Sequence, residues 1–189
     1  MTKPMNFTRV FAIGIVVLVA VAIGATLLEK PTPAARPAKP AAPPVALSGN
    51  EAYAVMNSVQ FTATLKQHTG KVVVVTFWGT WCGPCRMELP HLIKLHHDHK
   101  SDDLVMLSVA DDVTDAETLR AYESAVAADI PYPVYYDADL TIQRAYKVRS
   151  LPCMIIFNRQ GRQAQRYDGY YHGMEDEVEE LVTKLLKEN

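Results

Sequence analysis

Residues 72–85 read Val72-Val73-Val74-Val75-Thr76-Phe77-Trp78-Gly79-Thr80-Trp81-Cys82-Gly83-Pro84-Cys85. The first seven are an unbroken β-branched and aromatic run, the pattern of a strand covered on both faces at the centre of an α/β sheet. Beyond them Met87, Leu89, Leu92, Ile93 and Leu95 recur at helical spacing, so a strand feeds a helix whose first turn carries two cysteines. A C-x-x-C pair at that place can close a small disulfide ring and reopen it. The unpaired N–H groups of a first helical turn favour thiolate over thiol, which marks Cys82 as the attacking sulfur. Cys85, one turn further in, is expected to be shielded and to act as the resolving thiol. A structural zinc site or two incidental core cysteines are the plainer alternatives. Zinc wants four ligands, and the chain has no second C-x-x-C and no H-x-x-x-H.

Working outward, Glu51 to Lys66 predicts a helix ending before Gly70, and Leu104 to Val109 a second buried strand. Ala116 to Ala128 predicts the next helix, which sets a β-α-β-α order. Val134 to Tyr136 reads as a short strand, and Asp139 as the cap of a helix running to about Tyr146. Met154 to Phe157 and Gln165 to Tyr167 flank the turn-rich Asn158-Arg159-Gln160-Gly161, a link of hairpin length. An amphipathic helix near Glu175 to Lys187 closes the chain, with acids first and lysines last as the helix dipole prefers.

The 189 residues divide unevenly. Val10 to Leu28 is a charge-free apolar run, long enough as a helix to span about 28 Å of the roughly 30 Å hydrocarbon core of a bilayer. It predicts a membrane anchor, with Lys3 and Arg9 in residues 1–9 holding the amino terminus in the cytoplasm. A cleaved export signal is the competing reading, with Ala20-Val21-Ala22 as a small-x-small site. Either one exports the rest of the chain. Residues 29–46 hold six Pro and six Ala, so 29–49 reads as an extended, semi-rigid tether and 50–189 as one soluble domain. Five of the 19 basic residues but only one of the 21 acids lie before residue 50. The acidic body lacks the basic footprint of a nucleic-acid binder, so no nucleic-acid partner is expected. Three cysteines are too few and too clustered for a disulfide scaffold.

The string Phe77 to Cys85 resembles the active-site signature of the thioredoxin superfamily, and the resemblance spans about residues 50–187. Pro90 matches that family's helix-kinking proline, and Val148-Arg149-Ser150-Leu151-Pro152 is similar to its cis-proline loop. The resemblance implies a thioredoxin-like α/β fold, a central mixed sheet flanked by helices. It also implies that Leu151 and Pro152 form a substrate platform beside Trp81, Gly83, Pro84 and the attacking sulfur. Cytosolic thioredoxin has a buried Asp where Thr76 stands here. Glu88, three residues after Cys85, instead matches the acid of exported TlpA/ResA/CcmG-like reductases, which also share a helix resembling Ala116 to Ala128.

Helical spacing puts Glu88 on the side of Cys85, where a pKa raised by burial would let it carry protons during mixed-disulfide resolution. Its other reading is a solvated first-turn acid favouring the dipole. Cys153 follows the proline where the family has a small polar residue; it reads as a buried small hydrophobe, or as a thiol that traps a mixed disulfide or tunes the pair. His91, His96, His97 and His99 do not converge at helical spacing, so no metal and no other cofactor is expected. The Gly83-Pro84 dipeptide is that of thioredoxin, a reductant near about −270 mV, whereas oxidising relatives reach about −120 mV. The resemblance thus implies a membrane-anchored thiol:disulfide oxidoreductase facing the periplasm or cell exterior. Its partners would be protein disulfides, those of cytochrome c biogenesis or copper sites among them, and a DsbD/CcdA-like membrane electron donor. An envelope oxidase or isomerase, or a non-catalytic binding module, are the rival functions.

Overall fold

In the computed structural model the described residues are 53–99, 101 and 103–188. The expected anchor at 10–28 and the linker at 29–49 lie outside them. Among the described residues no helix is long and apolar enough to cross a membrane.

The apolar run ahead of the cysteines is β2 (Val72–Trp78), with every residue buried. It follows β1 (Tyr53–Val55) and α1 (Ser58–Gln67), and leads into α2 (Gly83–Asp98). Next come β3 (Leu104–Ala110), α3 (Ala116–Val126), β4 (Val134–Tyr136) and α4 (Thr141–Ala145). The chain ends with β5 (Cys153–Phe157), β6 (Gln163–Asp168) and α5 (Met174–Lys187). The six strands form one mixed sheet in the order β1-β4-β3-β2-β5-β6. β2 runs parallel to β3 and antiparallel to β5, which makes it the junction between the parallel and the hairpin halves. This is the expected central mixed sheet with flanking helices.

Strand alternation splits the core into two layers. Val72, Val74 and Trp78 of β2 pack with Cys85, Leu89 and Leu92 of α2 and with Val178 and Val182 of α5. Val73, Val75 and Phe77 face the other way, against Phe61 of α1 and Ile142 of α4. Phe61 has no solvent exposure and makes edge-on ring contacts with Tyr135 and Tyr146.

Two sequence expectations are corrected. The single helix over Glu51 to Lys66 is instead β1, a break, and α1. Tyr53-Ala54-Val55 is too short to show a strand period. It becomes a strand because its backbone pairs in parallel with Val134–Tyr136, far along the chain, a contact invisible in local sequence. The real start of α1 is set by Asn57, whose Oδ1 accepts from the N–H groups of Val59 and Gln60, while the Gln60 side chain accepts from Asn57 N–H. At α4 the capping carboxylate belongs chiefly to Asp137. It is fully buried and accepts from Ile142 N–H at 3.0 Å and Gln143 N–H at 2.8 Å, while Asp139 reaches only Thr141. Leu140, at φ 57°, lets the chain turn between the two.

Candidate active site

Cys82 is the N-cap of α2, and Cys82–Cys85 is closed as a disulfide with Cα atoms 5.3 Å apart. Pro84 lies in the first turn of α2, where its missing N–H removes no helical bond. Cys82 Sγ accepts the Cys85 N–H at 3.2 Å. The sulfur nearest the free N–H groups is therefore the one expected to attack, and those groups would stabilise its thiolate after reduction. Shielding does not separate the pair, since each cysteine is 3% exposed. What separates them is location: Cys82 caps the helix and Cys85 looks inward, against Glu88 and the first core layer.

The loop between β2 and α2 is held from β3. A Cβ at Gly79 would lie 2.6 Å from Asp111 Oδ1 and 2.7 Å from Trp81 Nε1, so a side chain there would force the Asp111 and Trp81 side chains to shift. The carboxylate of Asp112 accepts both the N–H and the hydroxyl of Thr80, and Trp81 Nε1 donates to Asp111 at 3.3 Å. No sequence motif points to Asp111 and Asp112. Their signal is positional: in parallel strands the carboxyl ends gather at one edge, so the residues after β3 meet the loop after β2. Trp81 remains 65% exposed and Met87 53%, with Pro84 exposed between them.

The Leu151–Pro152 peptide is cis, as the resemblance implied. Phe77 is paired with Cys153 in the β2–β5 register, so Leu151 and Pro152 lie beside the end of β2 where the Cys82 loop begins. The structure thus brings together Trp81, Cys82, Gly83, Pro84 and Cys85 with the Leu151–Pro152 segment.

Glu88 is only 2% exposed, which excludes the solvated first-turn acid. Burial pushes its carboxyl from the usual 4.5 up to about 8, partly opposed by the Thr76 hydroxyl 3.5 Å from Oε2. Cys85 and Glu88 line one small internal chamber together with Thr76 and Ser108. An acid that is mostly protonated at neutral pH beside a shielded sulfur can supply a proton when that sulfur leaves a disulfide.

Cys153 belongs to the second core layer, on the sheet face away from Cys82 and Cys85. It is fully buried and free, and burial pushes its thiol up to about 12. The one-residue offset from Met154, which faces α2, decides its side. The histidines do not converge on one point, although His96 and His97 meet edge-on with ring centroids 5.8 Å apart. His91 stacks on Tyr170, His96 contacts Tyr132 edge-on, and His99 bonds Glu179. Among the described residues no group of three or more His, Cys, Asp or Glu is placed to hold a metal ion.

A mixed six-stranded sheet with a C-x-x-C disulfide at a helix start and a cis-proline beside it defines a thioredoxin-like protein, and the chemistry of such a pair is thiol–disulfide exchange. The chain belongs to the AhpC/TSA family, which matches residues 42–164. Thiol-disulfide oxidoreductase ResA of Halalkalibacterium halodurans is 29% identical over 123 residues, 65% of this chain and 66% of that one. ResA of Bacillus subtilis is 30% identical over 93 residues, 49% of this chain and 50% of that one. These two matches span less than two thirds of the relatives' length. A secreted Mycobacterium tuberculosis disulfide oxidoreductase homologous to E. coli DsbE superposes with a TM-score of 0.53 at 22% identity, covering 63% of this chain and 85% of that one. MTB DsbF gives 0.54 at 20%, covering 64% and 84%. These two structures attest to the fold.

Proposed function

We propose that this chain is a thiol:disulfide oxidoreductase that works as a reductant of specific protein disulfides in the bacterial envelope. The observation that carries the reading is Glu88: a buried acid on the inner side of Cys85, behind a disulfide capped by a helix start. A substrate disulfide is attacked by the Cys82 thiolate, giving a mixed disulfide held against Leu151 and Pro152 with Trp81, Gly83 and Pro84 around it. Cys85 gives its proton to Glu88 in its ionised form, the minor fraction near neutral pH that grows as pH approaches 8, and attacks Cys82. The Cys82–Cys85 bond forms, and the substrate sulfur leaves with the electron pair and is protonated from water. No metal or organic cofactor takes part.

The charge-free run at 10–28 supports single-pass anchoring in the inner membrane, and the Pro/Ala-rich stretch supports a tether that keeps the domain near it. A reductase outside the cytoplasm must be re-reduced, and a DsbD/CcdA-like membrane donor fits that need. Cytochrome c haem-attachment cysteines and copper-site cysteines are the candidate substrates. Cys85→Ser should accumulate mixed disulfides through Cys82, and mass spectrometry of the captured proteins identifies them. Capture of envelope proteins with a paired-cysteine site, together with a potential close to that of thioredoxin, supports the proposal. A potential above that of the glutathione pool would make the protein an oxidase or isomerase, and activity surviving Cys82→Ser would leave a binding module.

A further inference from the structure

The chamber behind Cys85 is lined by more polar groups than its neighbours satisfy. Glu88 Oε1, the Tyr132 hydroxyl and the Tyr122 hydroxyl are buried without a hydrogen-bond partner among the described residues, and all three residues line this one space. Unpaired buried polar atoms are rare and costly, about 1–3 kcal/mol each, so three around a single void call for a shared partner. The void leaves about 10 Å³ for the centre of a water molecule, at the lower limit for seating one. Its remaining walls are Cys85, Thr76, Trp78, Leu89, Leu92 and Ser108.

The two tyrosines reach the chamber from different elements. Tyr122 lies on α3 and packs on Trp78 with ring centroids 4.7 Å apart. Tyr132 lies in the segment before β4, is 4% exposed, and has its ring edge-on to His96. Burial raises both hydroxyls above the ordinary tyrosine range, and each remains a proton donor throughout the physiological range.

We propose that this chamber binds one water molecule, and that Tyr132, assisted by Tyr122, holds Glu88 through that water in position to exchange a proton with Cys85. The proposal rests on the proton-carrying role given to Glu88 above. When a protein dithiol re-reduces the pair, its thiolate attacks Cys82 Sγ. A donor–Cys82 disulfide forms, the Cys82–Cys85 bond breaks, and Cys85 departs with the electron pair. Protonated Glu88 gives its proton to that sulfur and becomes a carboxylate. The Tyr132 hydroxyl, donating through the water, stabilises the new charge where solvent is excluded. In the forward direction the same carboxylate takes the Cys85 proton. Tyr132 is thus a positioning residue: it acts on sulfur only through Glu88.

Other groups also face Glu88. On its outer side a groove of about 360 Å³ between α2 and α5 carries His91 and Lys94 from the first helix and Glu175, Asp176 and Glu179 from the second, with Tyr170 at its wall. Cys153 feels the Glu88 charge only from β5, on the opposite face of the sheet. The inner water is the part specific to the tyrosines, and removing one hydroxyl tests it without touching the groove.

The experiment follows opening of the oxidised protein's disulfide by dithiothreitol across pH, with rates divided by the thiolate concentration. In wild type the rate should fall as Glu88 ionises. Tyr132→Phe, which keeps the ring, should move this fall upward by about half a pH unit or more, because the carboxylate loses the equivalent of one hydrogen bond. Tyr122→Phe should move it in the same direction by less. Glu88→Gln should abolish the fall, and adding Tyr132→Phe to Glu88→Gln should change nothing further. A Tyr132→Phe profile superimposable on wild type, with the fall absent in Glu88→Gln, overturns the water-linked role and leaves the Glu88 reading standing. A fall that persists in Glu88→Gln overturns both. Should Tyr132→Phe not fold, the infrared band of the protonated Glu88 carboxyl, assigned by its loss in Glu88→Gln, serves instead. That band should shift when Tyr122→Phe is introduced, and an unshifted band refutes the shared chamber.

Discussion

Cys153 and Glu88 are both buried and both lie within reach of the sheet's centre, yet one position along a strand or a helix gives them opposite fates. Cys153 shares the layer of Phe77 and Ile155, away from the disulfide, and its thiol is pushed up to about 12 by burial. A thiol so covered and so rarely ionised is a poor nucleophile. The oxidised native protein should therefore show no thiol to Ellman's reagent on the timescale of minutes, and one per chain after unfolding. A reactive thiol in the native protein would return Cys153 to the active site. The sequence left Cys153 open because residue identity does not reveal which face of a strand a side chain occupies until the register is known. Glu88 was singled out by the family resemblance, and the helical repeat put it on the side of Cys85, but only the structure decided between a buried and a solvated acid.

Elements are secured by local hydrogen bonding that short polar motifs encode. The Asn57–Gln60 capping box satisfies otherwise unpaired N–H groups at the start of α1, the helix that carries Phe61 into the second core layer. Asn57→Ala should lower unfolding stability by about 1 kcal/mol and leave disulfide exchange unchanged, since α1 lies on the face away from Cys82. Denaturant unfolding beside an insulin-reduction assay checks both halves of this expectation. The motif N-x-x-Q was present in the sequence, but an apparent helical period beginning at Glu51 masked it. β2, α2, β3, β4 and α5 were legible because each has enough residues, or sharp enough punctuation, to declare its period. β1 was not, because three residues carry no period and its partner strand lies far away in the chain.

For the molecule as a whole, the buried acid couples stability to pH. Glu88 titrates at about 8 when folded and near 4.5 when unfolded, so the native state holds its proton over that interval while the unfolded chain has released it. The stability associated with the protonated form is complete below about pH 4.5, declines as pH rises, and is lost once pH passes 8. Thermal melts of the oxidised protein should show a decline between about pH 5 and 9 that Glu88→Gln largely removes. Equal slopes for the two proteins would mean that Glu88 is not neutral in the folded state.

The amino-acid sequence by itself determined the C-x-x-C disulfide chemistry, the strand-to-helix setting that places Cys82 at a helix start, and the alternating elements of an α/β domain. Those depend on spacing, period and local capping, which are properties of neighbours along the chain. Only the tertiary structure decided which face Cys153 takes, how Asp111 and Asp112 fasten the loop, and that Tyr122 and Tyr132 meet Glu88 at one chamber. Such arrangements arise where strands pair across long separations and helices pack over them, and burial, which sets the protonation of Glu88, exists only after that packing is complete.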